Sequence, residues 1–72
     1  MQEEITAARQ AIGEKLRQVR DFRGLTQAQL AERIGITAAT VSKVEAGKWN
    51  HDIDLLAAFA KHLEAEIDIY PL

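Results

Sequence analysis

The chain has 72 residues, enough for one small hydrophobic core and too few for a second. Hydrophobic residues make up 47% and charged residues 28%, a balance that folds and dissolves rather than staying disordered. Cysteine is absent, which excludes disulfides, thiolate nucleophiles and cysteine-based zinc sites. With no apolar run of about 18 residues and no basic-then-apolar leader, the expectation is a cytoplasmic protein with no membrane span.

The formal net charge is −2, which by itself argues against a polyanionic partner. Its distribution argues differently. Residues 1–11 hold Glu3, Glu4 and Arg9. Residues 12–50 carry Lys15, Arg17, Arg20, Arg23, Arg33, Lys43 and Lys48 against Glu14, Asp21, Glu32 and Glu45, a net +3. Residues 51–72 carry Lys61 against Asp52, Asp54, Glu64, Glu66 and Asp68, a net −4. A basic middle and an acidic tail suggest two surfaces with different roles, with a mixed solvated surface as the plain alternative.

Ile5, Ala8, Ile12, Leu16 and Val19 recur at steps of three and four, the inner face of a helix from about Ile5 to Phe22. Gly24 supplies a left-handed stop. Thr26 with Gln29 forms a capping box, and Leu25 with Leu30 the matching hydrophobic staple, so a second helix starts there and ends at Gly35. Thr37 caps a third helix, stapled by Ile36 and Val41, which closes near Ala46 at Gly47. Two short helices joined by so tight a turn must cross steeply. Lys48 to His51 connect to a fourth helix capped by Asp52, whose inner face reads Ile53, Leu56, Phe59, Ala60 and Leu63.

After Leu63 the period changes to two. Ala65, Ile67 and Ile69 alternate with Glu64, Glu66, Asp68 and Tyr70, the pattern of a half-buried strand ended by Pro71. A lone strand leaves its backbone groups unpaired, so the expected partner is the same segment of a second copy, across a two-fold axis. The alternative is a frayed tail.

Residues 27–46 read QAQLAERIGITAATVSKVEA, with small Ala31 at the helix approach, Gly35 in the turn, and Ile34, Ile36, Val41 and Val44 beneath. This stretch, with the VRDFRGLTQAQLA lead-in and the VSKVEAGK exit, resembles the helix-turn-helix of the Cro/repressor type, also called the xenobiotic-response-element family. The likeness extends from about Ile12 to Leu63. It implies an all-α, lambda-repressor-like fold of four to five helices with one added C-terminal strand. Residues 1–63 would be the DNA-binding domain and 64–72 the dimerisation strand, through Ala65, Ile67 and Ile69.

The resemblance also implies roles. The third helix would enter the major groove while the second lies across the phosphates. Ala38, Ala39, Thr40 and Lys43 would face base edges. The alanines depart from the long polar residues of some relatives and can make only apolar contact, with thymine methyls. Lys43 can reach guanine or a phosphate, and shape readout would supplement so spare a set. Gln27, Thr37, Ser42, Lys48 and Asn50 are candidate phosphate contacts, and Ser42 can equally face solvent. Trp49 is either a half-buried lid on the core or a phosphate donor through its indole N–H. Arg17 and Arg23 read as solvated charges with flanking phosphates within reach. Arg20 and Glu45 match a pair that, in similar repressors, ties the first helix to the end of the recognition helix.

No metal or cofactor site is expected, since His51 and His62 have only Asp52 and Asp54 near them in sequence. No nucleophile–base pair points to an enzyme. Three functions follow. One is a dimeric transcriptional regulator, most simply a repressor reading a palindrome. A narrower form is the DNA-binding antitoxin of a toxin–antitoxin pair, because AEIDIYPL looks similar to the ending of HipB-like antitoxins, which would add a toxin protein as partner. The third is a protein-interaction module that kept the fold and no longer binds DNA.

Overall fold

Four helices account for most of the chain in this computed structural model, which describes residues 2–49 and 52–71. They are α1 (Gln2–Phe22), α2 (Gln27–Ile34), α3 (Ala38–Glu45) and α4 (Ile53–Leu63). Helix α1 begins before the apolar period does, with Glu3 and Glu4 in its first turn, where negative charge suits the helix dipole.

The other three helices start on the side chains that the sequence offers. Thr26 and Gln29 form the reciprocal capping box: the Gln29 N–H donates to Thr26 Oγ1 at 3.1 Å and the Thr26 N–H to Gln29 Oε1 at 2.8 Å. Thr37 Oγ1 accepts from the Thr40 N–H at 3.1 Å, and Asp52 from the Leu55 N–H at 2.8 Å. Each removes one of the orphan donors of a helix N-terminus.

The helices end through left-handed residues. Behind α3, the Gly47 N–H bonds to Val44 O and the Lys48 N–H to Lys43 O, a Schellman pair that turns the chain back on the helix. Behind α4 the same task falls to Glu64 at φ 54°, the one positive-φ residue other than glycine among those described. The guanidinium of Arg23, just past α1, donates to Leu63 O at 2.8 Å and Glu64 O at 2.9 Å and so secures this terminus.

The core gathers Leu16, Leu30, Ala31, Val41, Val44, Phe59 and Leu63, with Val19, Leu25, Ile34, Ile36, Trp49, Leu55, Leu56 and Ala65 packed around it. Helix α1 meets α3 almost backbone to backbone. A Cβ built on Gly13 would lie 2.4 Å from Val44 O and 2.6 Å from Glu45 O, and one on Gly47 2.7 Å from Gln10 Cα. Only glycine fits at this seam.

Two expectations need correction. Residues 65–71 form no strand. The Ala65 N–H instead bonds to Ala60 O at 2.9 Å and its side chain packs on the core, so Ala65 belongs to the helix stop rather than to a strand face. Ile67 and Ile69 lie exposed, and the Ile69 N–H is held locally by the Asp68 carboxylate at 2.8 Å. No neighbouring strand lies within the described chain, so there is no ladder to order this segment. The second correction concerns inner faces. Ile5 and Ile12 on α1 are exposed and Ile53 on α4 is 78% exposed, because the core ends before it reaches them. Together with Ala8, Arg9, Asp52 and Leu56 they border an open groove between the first turns of α4 and the N-terminal half of α1.

Candidate nucleic-acid interface

Helix α3 is two-sided. Val41, Val44 and Glu45 are buried, whereas Ala38, Ala39, Ser42 and Lys43 are exposed. These sets fall on opposite faces at helical spacing, so the side held by the core is distinct from the side offered outward. Thr40 sits at the margin, half-buried. Its hydroxyl lies 2.9 Å from that of Thr37, so the two threonines satisfy each other at the start of the helix. The outer face of α3 is therefore small and largely apolar at its N-terminal end and cationic at Lys43.

What fixes α3 is a buried charge pair. Arg20 Nε donates to Glu45 Oε2 at 2.6 Å and Nη2 to Oε1 at 3.0 Å, while Nη1 donates to Leu25 O at 2.7 Å. The fork geometry is bidentate, and the Glu45 side chain is only 3% exposed. The hydrogen bond with Glu45 raises the Arg20 pKa above the ordinary guanidinium value, against the opposing effect of burial. Gln27 joins the pair by donating Nε2 to Glu45 Oε1 at 3.0 Å. One carboxylate thus binds α1, the start of α2 and the end of α3 together, and no buried side-chain polar atom among the described residues lacks a partner.

The remaining candidates are placed as follows. Thr37 and Lys48 are exposed at either end of α3. The Gln27 amide is engaged by Glu45 rather than aimed into solvent. Asn50 and His51 lie outside the described residues. Arg17 is paired on its own helix, with Nε on Glu14 at 3.0 Å and Nη1 on Asp21 at 2.8 Å. Its hydrogen bond holds the Glu14 carboxyl below the usual range. Arg23, read from sequence as a solvated charge with flanking phosphates within reach, is exposed and also holds the end of α4 through Leu63 O and Glu64 O. The sequence reading also missed Gly13, whose one signal was a lone glycine inside a helical pattern. It missed the pairing of Lys43 with Trp49 too: the Lys43 ammonium stands 5.7 Å from the centre of the Trp49 ring.

No group of three or more metal-ligating side chains gathers among the described residues. Among them no helix is long and apolar enough to cross a membrane.

The chain matches the family described as the helix-turn-helix domain over residues 11–68. It is 38% identical over 55 residues to the HTH-type transcriptional activator BcrR of Enterococcus faecalis, a stretch covering 76% of this chain and 27% of that protein. The chain thus spans only about a quarter of the length of this curated relative. Among solved structures it resembles the restriction-modification controller protein C.AhdI from Aeromonas hydrophila, with TM-score 0.80 and 31% identity over 85% of this chain and 88% of that one. The clp gene regulator ClgR from C. glutamicum is similar at TM-score 0.80 and 32% identity, over 82% of this chain and 76% of that one.

Proposed function

This chain belongs to the helix-turn-helix domain family, in its Cro/repressor-type form, and on that premise we propose that it regulates transcription by binding double-stranded DNA. The observation that carries the reading is the division of α3: one face is sealed in the core, and the other presents Ala38, Ala39, Ser42 and Lys43 to solvent. A rod held in this way fits a major groove, with α2 across the backbone. Base contact falls to Ala38, Ala39, Thr40 and Lys43. Phosphate contact falls to Thr37, Ser42 and Lys48 and, by sequence, Asn50. Gln27 contributes through the backbone amides it opens, its side chain being tied to Glu45.

Two copies would read two half-sites of a palindrome about one helical turn apart. The exposed Ile5, Ile12 and Ile53 support association, because so small a domain gains from covering them. Repression is the simplest outcome of such binding, although a named relative is an activator. The antitoxin reading, with its toxin partner, leaned on a C-terminal strand, and the course of residues 65–71 lends it no support.

Selection of duplexes from a random pool, followed by gel shift across a salt series, tests the proposal. A palindromic consensus and an affinity that falls steeply with salt are expected, because counterions are released from the phosphates. Failure to retain any duplex would favour the protein-interaction module.

A further inference from the structure

We infer that Trp49 is a positioning residue for Lys43, holding its ammonium at the edge of the outward face of α3 before DNA arrives. The inference rests on the DNA-binding reading above. The placement is built by the helix stop: left-handed Gly47 reverses the chain, the Lys48 N–H closes on Lys43 O at 2.9 Å, and Trp49 is brought back beside the residue that ended the bond. Trp49 is half-buried and anchored on the core, so its ring is a fixed platform. Lys43 is exposed, and among the described residues no ion pair engages it. Its ammonium has the face of the indole as its support, 5.7 Å from the ring centre.

A lysine side chain loses much rotational freedom when it is fixed on a ligand. A cation–π contact that restricts it beforehand lowers that cost on binding. Trp49 therefore adds to affinity without touching the duplex, and it sharpens whatever preference Lys43 has for one base or phosphate position. It also places the only tryptophan of the chain next to the proposed interface, where its emission reports binding.

The test is a double-mutant cycle on the full chain with a duplex selected by the wild-type protein. Trp49→Leu keeps an apolar anchor and removes the aromatic face; Trp49→Phe keeps a face; Lys43→Met keeps the stem and removes the charge. Trp49→Leu is expected to weaken binding about two- to fivefold, Trp49→Phe to restore most of it, and Trp49→Leu to have no further effect in the Lys43→Met background. In the free protein, the Lys43 side-chain protons next to the ammonium should show an upfield ring-current shift that Trp49→Leu abolishes. Additive losses with binding retained, or absence of that shift, would overturn the positioning role and leave the DNA-binding reading standing. A wild-type chain that binds no duplex would overturn both.

Discussion

Replacing Gly13 with alanine sets two effects against each other, and the structure decides the winner. In an exposed helix interior the change would stabilise by about 1 kcal/mol through helix propensity. Here the new Cβ would stand 2.4 Å from Val44 O, about 0.6 Å inside the 3.0 Å below which real contacts essentially never fall. Glu45 O and Glu45 C crowd the same point at 2.6 and 2.8 Å. All three are backbone atoms, so no rotamer change relieves the overlap, and α3 must move as a body. Overpacking of this kind costs about 1–3 kcal/mol, and the immobile neighbours place Gly13→Ala at the upper end. After subtracting propensity, the net loss is about 2 kcal/mol, or a fall in Tm on the order of 10 °C for a domain of this size. Thermal unfolding followed by circular dichroism measures it, and DNA affinity should drop as well, because the shifted helix is the one proposed to read bases. A Tm equal to or above that of wild type would refute the seam and, with it, the account of how α1 fixes α3.

Three other substitutions bear on the same framework. Glu45→Ala removes two of the bonds of the buried Arg20 guanidinium, leaving it Leu25 O and the Asp21 carboxylate at 3.3 Å, and should cost roughly 3 kcal/mol, with DNA binding lost in parallel; an unchanged melting temperature would remove its orienting role. Arg23→Met deletes two bonds from a charged group to the end of α4 and should destabilise by about 1–3 kcal/mol, while the salt dependence of DNA binding stays as it was. A reduced salt slope would instead make Arg23 a phosphate ligand. Glu64→Gly relieves a left-handed glutamate at φ 54° and should raise Tm by a few degrees, the equivalent of up to about 1 kcal/mol; a fall would show that the side chain compensates for its backbone.

Local chemistry was the legible part of this sequence. Thr26 with Gln29, Thr37 and Asp52 cap as their spacing dictates, because a cap involves residues three positions apart and needs nothing from the rest of the chain. Tertiary reach was harder to read. The apolar period of α1 includes Ile5 and Ile12, but α4 leaves them open, since periodicity shows which face is apolar and not how far the opposing core extends. The two-residue alternation after Leu63 pointed to a strand that does not form. Ala65 was needed one step earlier to complete a helix stop, and among the described residues no strand lies beside the rest. In the site, the Arg20–Glu45 pair came through resemblance, whereas the Gln27 bond to Glu45, the Arg23 cap and the Lys43–Trp49 contact all depend on how the chain reverses at residues the sequence marks only as turns.

Because Val41, Val44 and Glu45 anchor α3 while Ala38 and Ala39 face outward, most of address and chassis can be changed separately; Thr40, half-buried and bonded to the Thr37 cap, belongs to both. Ala38 and Ala39, the exposed pair proposed to face base edges, take no part in the buried face. On the proposed reading, a library randomised at these two positions should keep its melting temperature while its members drift to different operators, which makes this short helix a lettering plate that can be re-engraved without dismantling what carries it.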